Sequence, residues 1–180
     1  MMKKILTLLT AFLCAVTMMA QTKDAIGRKK GAPENWFVVG KTTKLYEQPS
    51  VKGDVAISMK GAEIVAEPGM VFRVVSDHGV WTKVEYMTGI NAFISNDARA
   101  ANDRLTSVVP GEYHLTNSSG SVKVAATDER RYTLTTNGKE FRGRKVGKFL
   151  VFKDKTGNIA YTLVDTGNDV IAYDYLQLGW

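Results

Sequence analysis

The chain has 180 residues, 44 % hydrophobic and 23 % charged, with 16 Gly, 4 Pro and one Cys. This is ordinary globular usage, and it excludes collagen-like, coiled-coil and disordered classes. The 24 Lys and Arg against 18 Asp and Glu give +6, a modest charge that favours solubility and anionic surfaces.

Met1-Met2-Lys3-Lys4 is a short basic head, and Ile5 to Met19 is an apolar run softened by Thr7, Thr10 and Thr17. That layout is a secretory signal peptide over 1–20, cleaved after Ala20. The run is shorter than the roughly 20 apolar residues of a membrane span and has no basic stop-transfer flank. Cys14 follows the bulky Leu13, so a lipoprotein box is not met. Cleavage removes Lys3, Lys4 and Cys14, which leaves +4 and no cysteine. The expected product is exported to the periplasm, the cell surface or the medium. It has no disulfide and relies on core burial, which about 160 residues can supply.

Residues 21–35 are polar and Lys-rich and read as a flexible lead-in. Short β runs then alternate with turn residues: 37–39, 55–57, 64–65, 71–75, 81–86 and 90–94. One helix is expected over Asn96–Leu105, capped by Asn96 or Asp97, inside a linker at 97–109. A second set of strands covers 112–116, 121–127, 131–136, 148–153, 159–164 and 170–176. Asn137-Gly138 is the strongest hairpin signal in the chain, since a type I′ turn needs φ > 0 at both central positions. A turn every ten or so residues predicts antiparallel sheets or small barrels.

Thr43-Lys44-Leu45-Tyr46-Glu47-Gln48-Pro49-Ser50 reads as an opening strand and loop, and Val55-Ala56-Ile57 stands before Lys60-Gly61. Gly79-Val80-Trp81-Thr82-Lys83-Val84 and a closing Gly89 to Ile94 strand follow. With these motifs, residues 42–95 resemble bacterial SH3-like domains. Tyr46-Glu47-Gln48 stands where the family usually has Asn-Val-Arg, and Ala92 replaces a Gly. The resemblance implies a five- or six-stranded barrel used to bind cell-wall material or peptides. The expected fold is therefore all-β: an SH3-like barrel at 36–96, then a second small antiparallel β-sheet or barrel at 110–180.

Little catalytic material is present. His78 lies in an Asp-His-Gly turn, and His114 alternates outward on a strand, which suits solvated histidines rather than a nucleophile's base. Two histidines without cysteine make a poor metal site, and no cofactor is expected. Asp128-Glu129 sits beside Arg130-Arg131. Asp165, Asp169 and Asp174 lack the spacing of a calcium loop. Tyr46, Trp81, Tyr86 and Phe93 are the candidate ligand-binding aromatics, since such rings supply contact area with a polar handle. The alternation also suits Trp81 and Phe93 as barrel core, which makes Tyr46 the better ligand candidate. Lys139–Lys155 is rich in cations, and Arg142, Arg144, Lys145 and Lys148 are the candidate basic surface for anionic partners.

The terminal Leu176-Gln177-Leu178-Gly179-Trp180 alternates as outer-membrane strands do. The runs are nevertheless shorter than the 9–11 residues such strands need, and Phe149-Leu150-Val151-Phe152 is apolar on both faces. The expectation is a non-enzymatic module that binds a cell-wall polymer or a protein or peptide, with no nucleic acid. The alternative is an inhibitor or accessory subunit of a wall-lytic enzyme acting through the basic β domain. A carboxylate hydrolase is the third reading.

Overall fold

In the computed structural model, residues 35–58 and 60–178 are described. The expected leader, Cys14 and the lead-in up to Glu34 lie outside the described residues, as does Trp180. The described chain is all-β, with thirteen strands and three 3-10 turns. Asn35–Trp180 fall in one unit.

Six strands come from the first half: β1 (Trp36–Val38), β2 (Thr43–Lys44), β3 (Val65–Ala66), β4 (Val71–His78), β5 (Trp81–Met87) and β6 (Ile90–Ser95). β1, β4, β5 and β6 form an antiparallel sheet in that order, and β2 pairs with β3. The chain after β2 docks on β6, because Tyr46 N–H donates to Phe93 O at 2.9 Å and Phe93 N–H to Tyr46 O at 2.7 Å. The period-2 alternation of β5 and β6 sends Val84, Ala92 and Ile94 inward. There they meet Phe37, Leu45, Ile64 and Phe72 in one buried cluster.

Seven strands form the second sheet: β7 (Gly111–His114), β8 (Ser121–Ala126), β9 (Arg131–Thr136), β10 (Lys139–Val146), β11 (Phe149–Lys153), β12 (Ile159–Asp165) and β13 (Val170–Asp174). Each pairs with its chain neighbour. The sheet curls until its first and last strands meet. Leu115 bridges Ala172 in parallel, and Thr116 N–H donates to Ala172 O at 2.8 Å. Asn117 extends the seam by imitating a backbone unit. Its amide donates to Asp174 O at 2.7 Å and accepts from Asp174 N–H at 2.9 Å. The result is a nearly closed seven-stranded barrel, filled by Val122, Val124, Leu134, Leu150, Phe152 and Leu163.

Three expectations are corrected. Lys139–Val146, absent from the expected strands and singled out only for its cations, is an eight-residue strand. Gly143 hides its alternation, and that glycine is needed where it stands. A Cβ there would come 2.6 Å from Val151 O and nearer still to the Phe152 ring. The expected helix over Asn96–Leu105 is two 3-10 turns, Asn96–Ala98 and Asn102–Arg104, neither with a side-chain cap. Between them Arg99 and Ala100 are drawn into extended backbone on β1, where Ala100 N–H donates to Val38 O at 2.8 Å. The last strand stops at Asp174, whose carboxylate caps a further 3-10 turn, Tyr175–Gln177.

The two sheets share apolar surface. β11 is buried on both faces, with Leu150 and Phe152 inside the barrel. Phe149 and Val151 point out against Val38, Val71 and Leu105. Tyr173 of β13 joins the first sheet's own cluster. The Tyr175 hydroxyl accepts from Val71 N–H at 2.6 Å and donates to Val71 O at 3.1 Å, and burial pushes its pKa up to about 12.

Candidate functional site

Strand alternation divides the aromatics of the first sheet. Trp81, Lys83 and Phe93 lie on the face opposite Val84, Ala92 and Ile94, with Lys83 directly across from Phe93. Tyr46 joins them through its bridge to Phe93. Its ring meets Trp81 edge-on, with centroids 5.5 Å apart at 81°. His78 meets Phe93 in the same manner at 5.2 Å and 77°, and the Lys83 ammonium stands 5.7 Å from the Phe93 centroid. Trp81 is only 8 % exposed, and Tyr46 and Phe93 are half-buried. Trp81 is buried, as the core reading of that residue expects, and Phe93 is only half-buried; neither belongs to the three large apolar clusters. Three of the four expected aromatics are brought together.

Tyr86 is placed elsewhere. It packs against the core of the first sheet and lines a cleft of about 250 Å³ between the sheets. Burial, then the charge of Glu47, raises its hydroxyl pKa. In that cleft Arg73 pairs with the buried Glu85, which also accepts from Gly89 N–H at 2.7 Å. Trp36 Nε1 is buried there without a partner.

Sequence reading missed two contributors to the aromatic face. His78 was read as a turn residue, yet β4 runs through it and sets it opposite Trp81. Its ring is held by a 2.8 Å hydrogen bond with Ser76 Oγ. Strand alternation puts Lys83 on Trp81's side, but its cation–π contact with Phe93 depends on the β5–β6 register and is not legible locally.

The basic candidates separate as well. Arg142 and Arg144 are exposed on one face of β10, while Lys145 turns toward the other. Lys148 is committed to structure, since its ammonium donates to Leu105 O at 2.6 Å and Asn102 O at 3.1 Å. Arg142 instead shares a groove of about 870 Å³ with Lys139, Lys153 and Lys155.

The acidic residues hold loops. Asp128 accepts from Arg130 and Arg131 N–H at 2.9 and 2.8 Å, bonds that keep its carboxyl below the usual range. Asp165 accepts from Gly167 N–H and Asp169 from Val170 N–H, each at 2.8 Å. Among the described residues no group of His, Cys, Asp and Glu is placed to hold a metal ion, and no helix is long and apolar enough to cross a membrane. The described surfaces therefore present flat rings, a histidine and a lysine on one face of the first sheet, and a cation-lined groove on the barrel. No protein family, curated protein or solved structure matches the chain.

Proposed function

We propose that the protein is an exported, non-catalytic binding module that recognises a cell-wall component or a peptide through the aromatic face of its first sheet. The observation that carries this reading is the Tyr46–Trp81 pair beside Phe93, His78 and Lys83 on the face opposite Val84, Ala92 and Ile94. Such rings give contact area at low entropic cost, and the histidine and lysine supply polar handles. The resemblance of residues 42–95 to bacterial SH3-like domains supports the same reading, since it implies a wall- or peptide-binding barrel. The leader-like N-terminus supports export.

The test is co-sedimentation of the chain lacking residues 1–20 with insoluble peptidoglycan, followed by Trp fluorescence with soluble wall fragments. Binding that falls about tenfold in Tyr46→Ala supports the reading, a loss on the scale of one aromatic anchor. A folded protein that stays in the supernatant and shows no fluorescence change with fragments overturns it for wall material. A peptide library screened against the same two variants decides the peptide arm.

A further inference from the structure

Lys83 is the cation of the aromatic face. Alternation along β5 sets it between Trp81 and Glu85 on the side away from Val84. The strand register puts Ser76 of β4 on one flank and Phe93 of β6 on the other. Lys83 is half-buried, and its ammonium stands 5.7 Å from the Phe93 centroid. Among the described residues that ammonium enters no hydrogen bond or salt bridge. A ring face attracts the charge but satisfies none of the three N–H donors.

The neighbouring acids are already engaged. Glu85, the next residue on that side of β5, is 6 % exposed, pairs with Arg73 and accepts from Gly89 N–H at 2.7 Å. Asp77 pairs in register with Thr82 on the other side of the sheet and accepts from its hydroxyl at 3.2 Å. Glu63 holds Lys44, two residues before Tyr46. An incoming carboxylate would bring Lys83 both the acceptors and the opposite charge.

The rings decide what carries that carboxylate. Tyr46 meets Trp81 at 81° and His78 meets Phe93 at 77°, so both pairs are closed edge to face. Trp81 is 8 % exposed, which leaves little indole face for a sugar to lie on. Edge-on rings present notches of side-chain width, and an extended peptide fills these better than a flat saccharide does.

We infer that the ligand of the aromatic face is an acidic peptide, and that Lys83 sets its specificity by pairing with one of the peptide's carboxylates. The inference rests on the aromatic-face reading and selects within it: a wall fragment binds through its peptide, not its glycan. Tyr46 and Trp81 supply contact area, and Lys83 supplies the charge.

The experiment is selection of random octapeptides, with free and with amidated C-termini, on the chain lacking residues 1–20. Affinities of the recovered peptides are then read by fluorescence anisotropy at low and at physiological salt. Enrichment of Asp and Glu is expected, with binding weaker at higher salt; enrichment of free C-termini instead would place the carboxylate at the chain end. Replacing the key carboxylate of the best peptide by an amide is expected to weaken it about tenfold, the loss of one charge-assisted hydrogen bond. Lys83→Met, which keeps an apolar stem on Phe93, is expected to weaken the acidic peptide about tenfold and its amide counterpart no further. Lys83→Arg should retain the preference. The inference is overturned if no carboxylate is enriched, if the amide costs nothing, or if Lys83→Met weakens both peptides alike. In those cases a loss in Tyr46→Ala leaves the aromatic-face reading standing, and no loss refutes that reading as well. Failure of the folded protein to retain any peptide overturns the inference and leaves co-sedimentation with wall material to judge the face.

Discussion

Single residues fix the places where this fold has no slack. Gly143 sits under the Phe152 ring and against Val151 O, so Gly143→Ala forces apart two paired strands of the barrel. Overpacking of this kind costs about 1–3 kcal/mol, which a lowered urea midpoint at unchanged m-value would reveal. Asp174 is 4 % exposed, and burial raises its carboxyl pKa above the ordinary 3.8. A raised folded pKa means that the fold prefers the protonated acid. The stability this contributes is fully present below pH 3.8 and lost as pH rises through the folded value. Asp174→Asn keeps an acceptor for the Leu176 N–H bond at 2.9 Å and removes the titration. The stability difference between variant and wild type should therefore shift in the variant's favour between pH 4 and pH 7, measured by urea unfolding at both. A difference independent of pH would show that Asp174 titrates alike in both states.

At the scale of elements, sequence patterns located most strands, and tertiary context decided the exceptions. Asn137-Gly138 was legible because its chemistry is local: both residues take positive φ, 47° and 71°, as a type I′ turn demands. The strand that follows was not legible, because Lys139–Val146 alternates charge with half-buried positions and Gly143 stands where a large inward residue would mark the period. The expected helix failed for a related reason. The Arg99–Ala100 backbone satisfies more groups on β1 than isolated short helical turns would. The barrel seam is an element of its own and depends on Asn117. Asn117→Ala strips both partners from the Asp174 backbone, and leaving such groups unpaired costs about 1–3 kcal/mol. Faster amide exchange at Asp174 and Thr116 than in β7 and the rest of β13 would localise that loss to the seam. Asn117→Asp keeps the acceptor alone and should fall between Ala and wild type.

At the scale of the whole molecule, the first sheet and the barrel share buried surface at Val38, Val71, Phe149 and Val151, and the Tyr175 hydroxyl ties the barrel's C-terminal turn to Val71 of β4. Unfolding should accordingly be a single transition, with Trp fluorescence from Trp36 and Trp81 and far-UV ellipticity from both sheets coinciding. Tyr175→Phe leaves the Val71 N–H without its acceptor and should lower both signals' midpoints together, by about 1–3 kcal/mol. Two separated transitions would show that the sheets are energetically independent.

The sequence by itself determined the all-β class, the turn positions and the two-sided burial of Phe149–Phe152, because backbone sterics and period-2 apolar patterning act over a few residues. It also held every residue of the candidate surfaces. Which of them meet was decided by strand register and bulges that link residues far apart in the chain. The bridge to Phe93 puts Tyr46 on Trp81's face, the core takes Tyr86 away from it, and the β10–β11 pairing sets Arg142 beside Lys153 while Lys148 is spent on Leu105 and Asn102. Contacts between distant residues are set by which pairing buries the most apolar surface with its polar groups satisfied, and no local pattern carries that information.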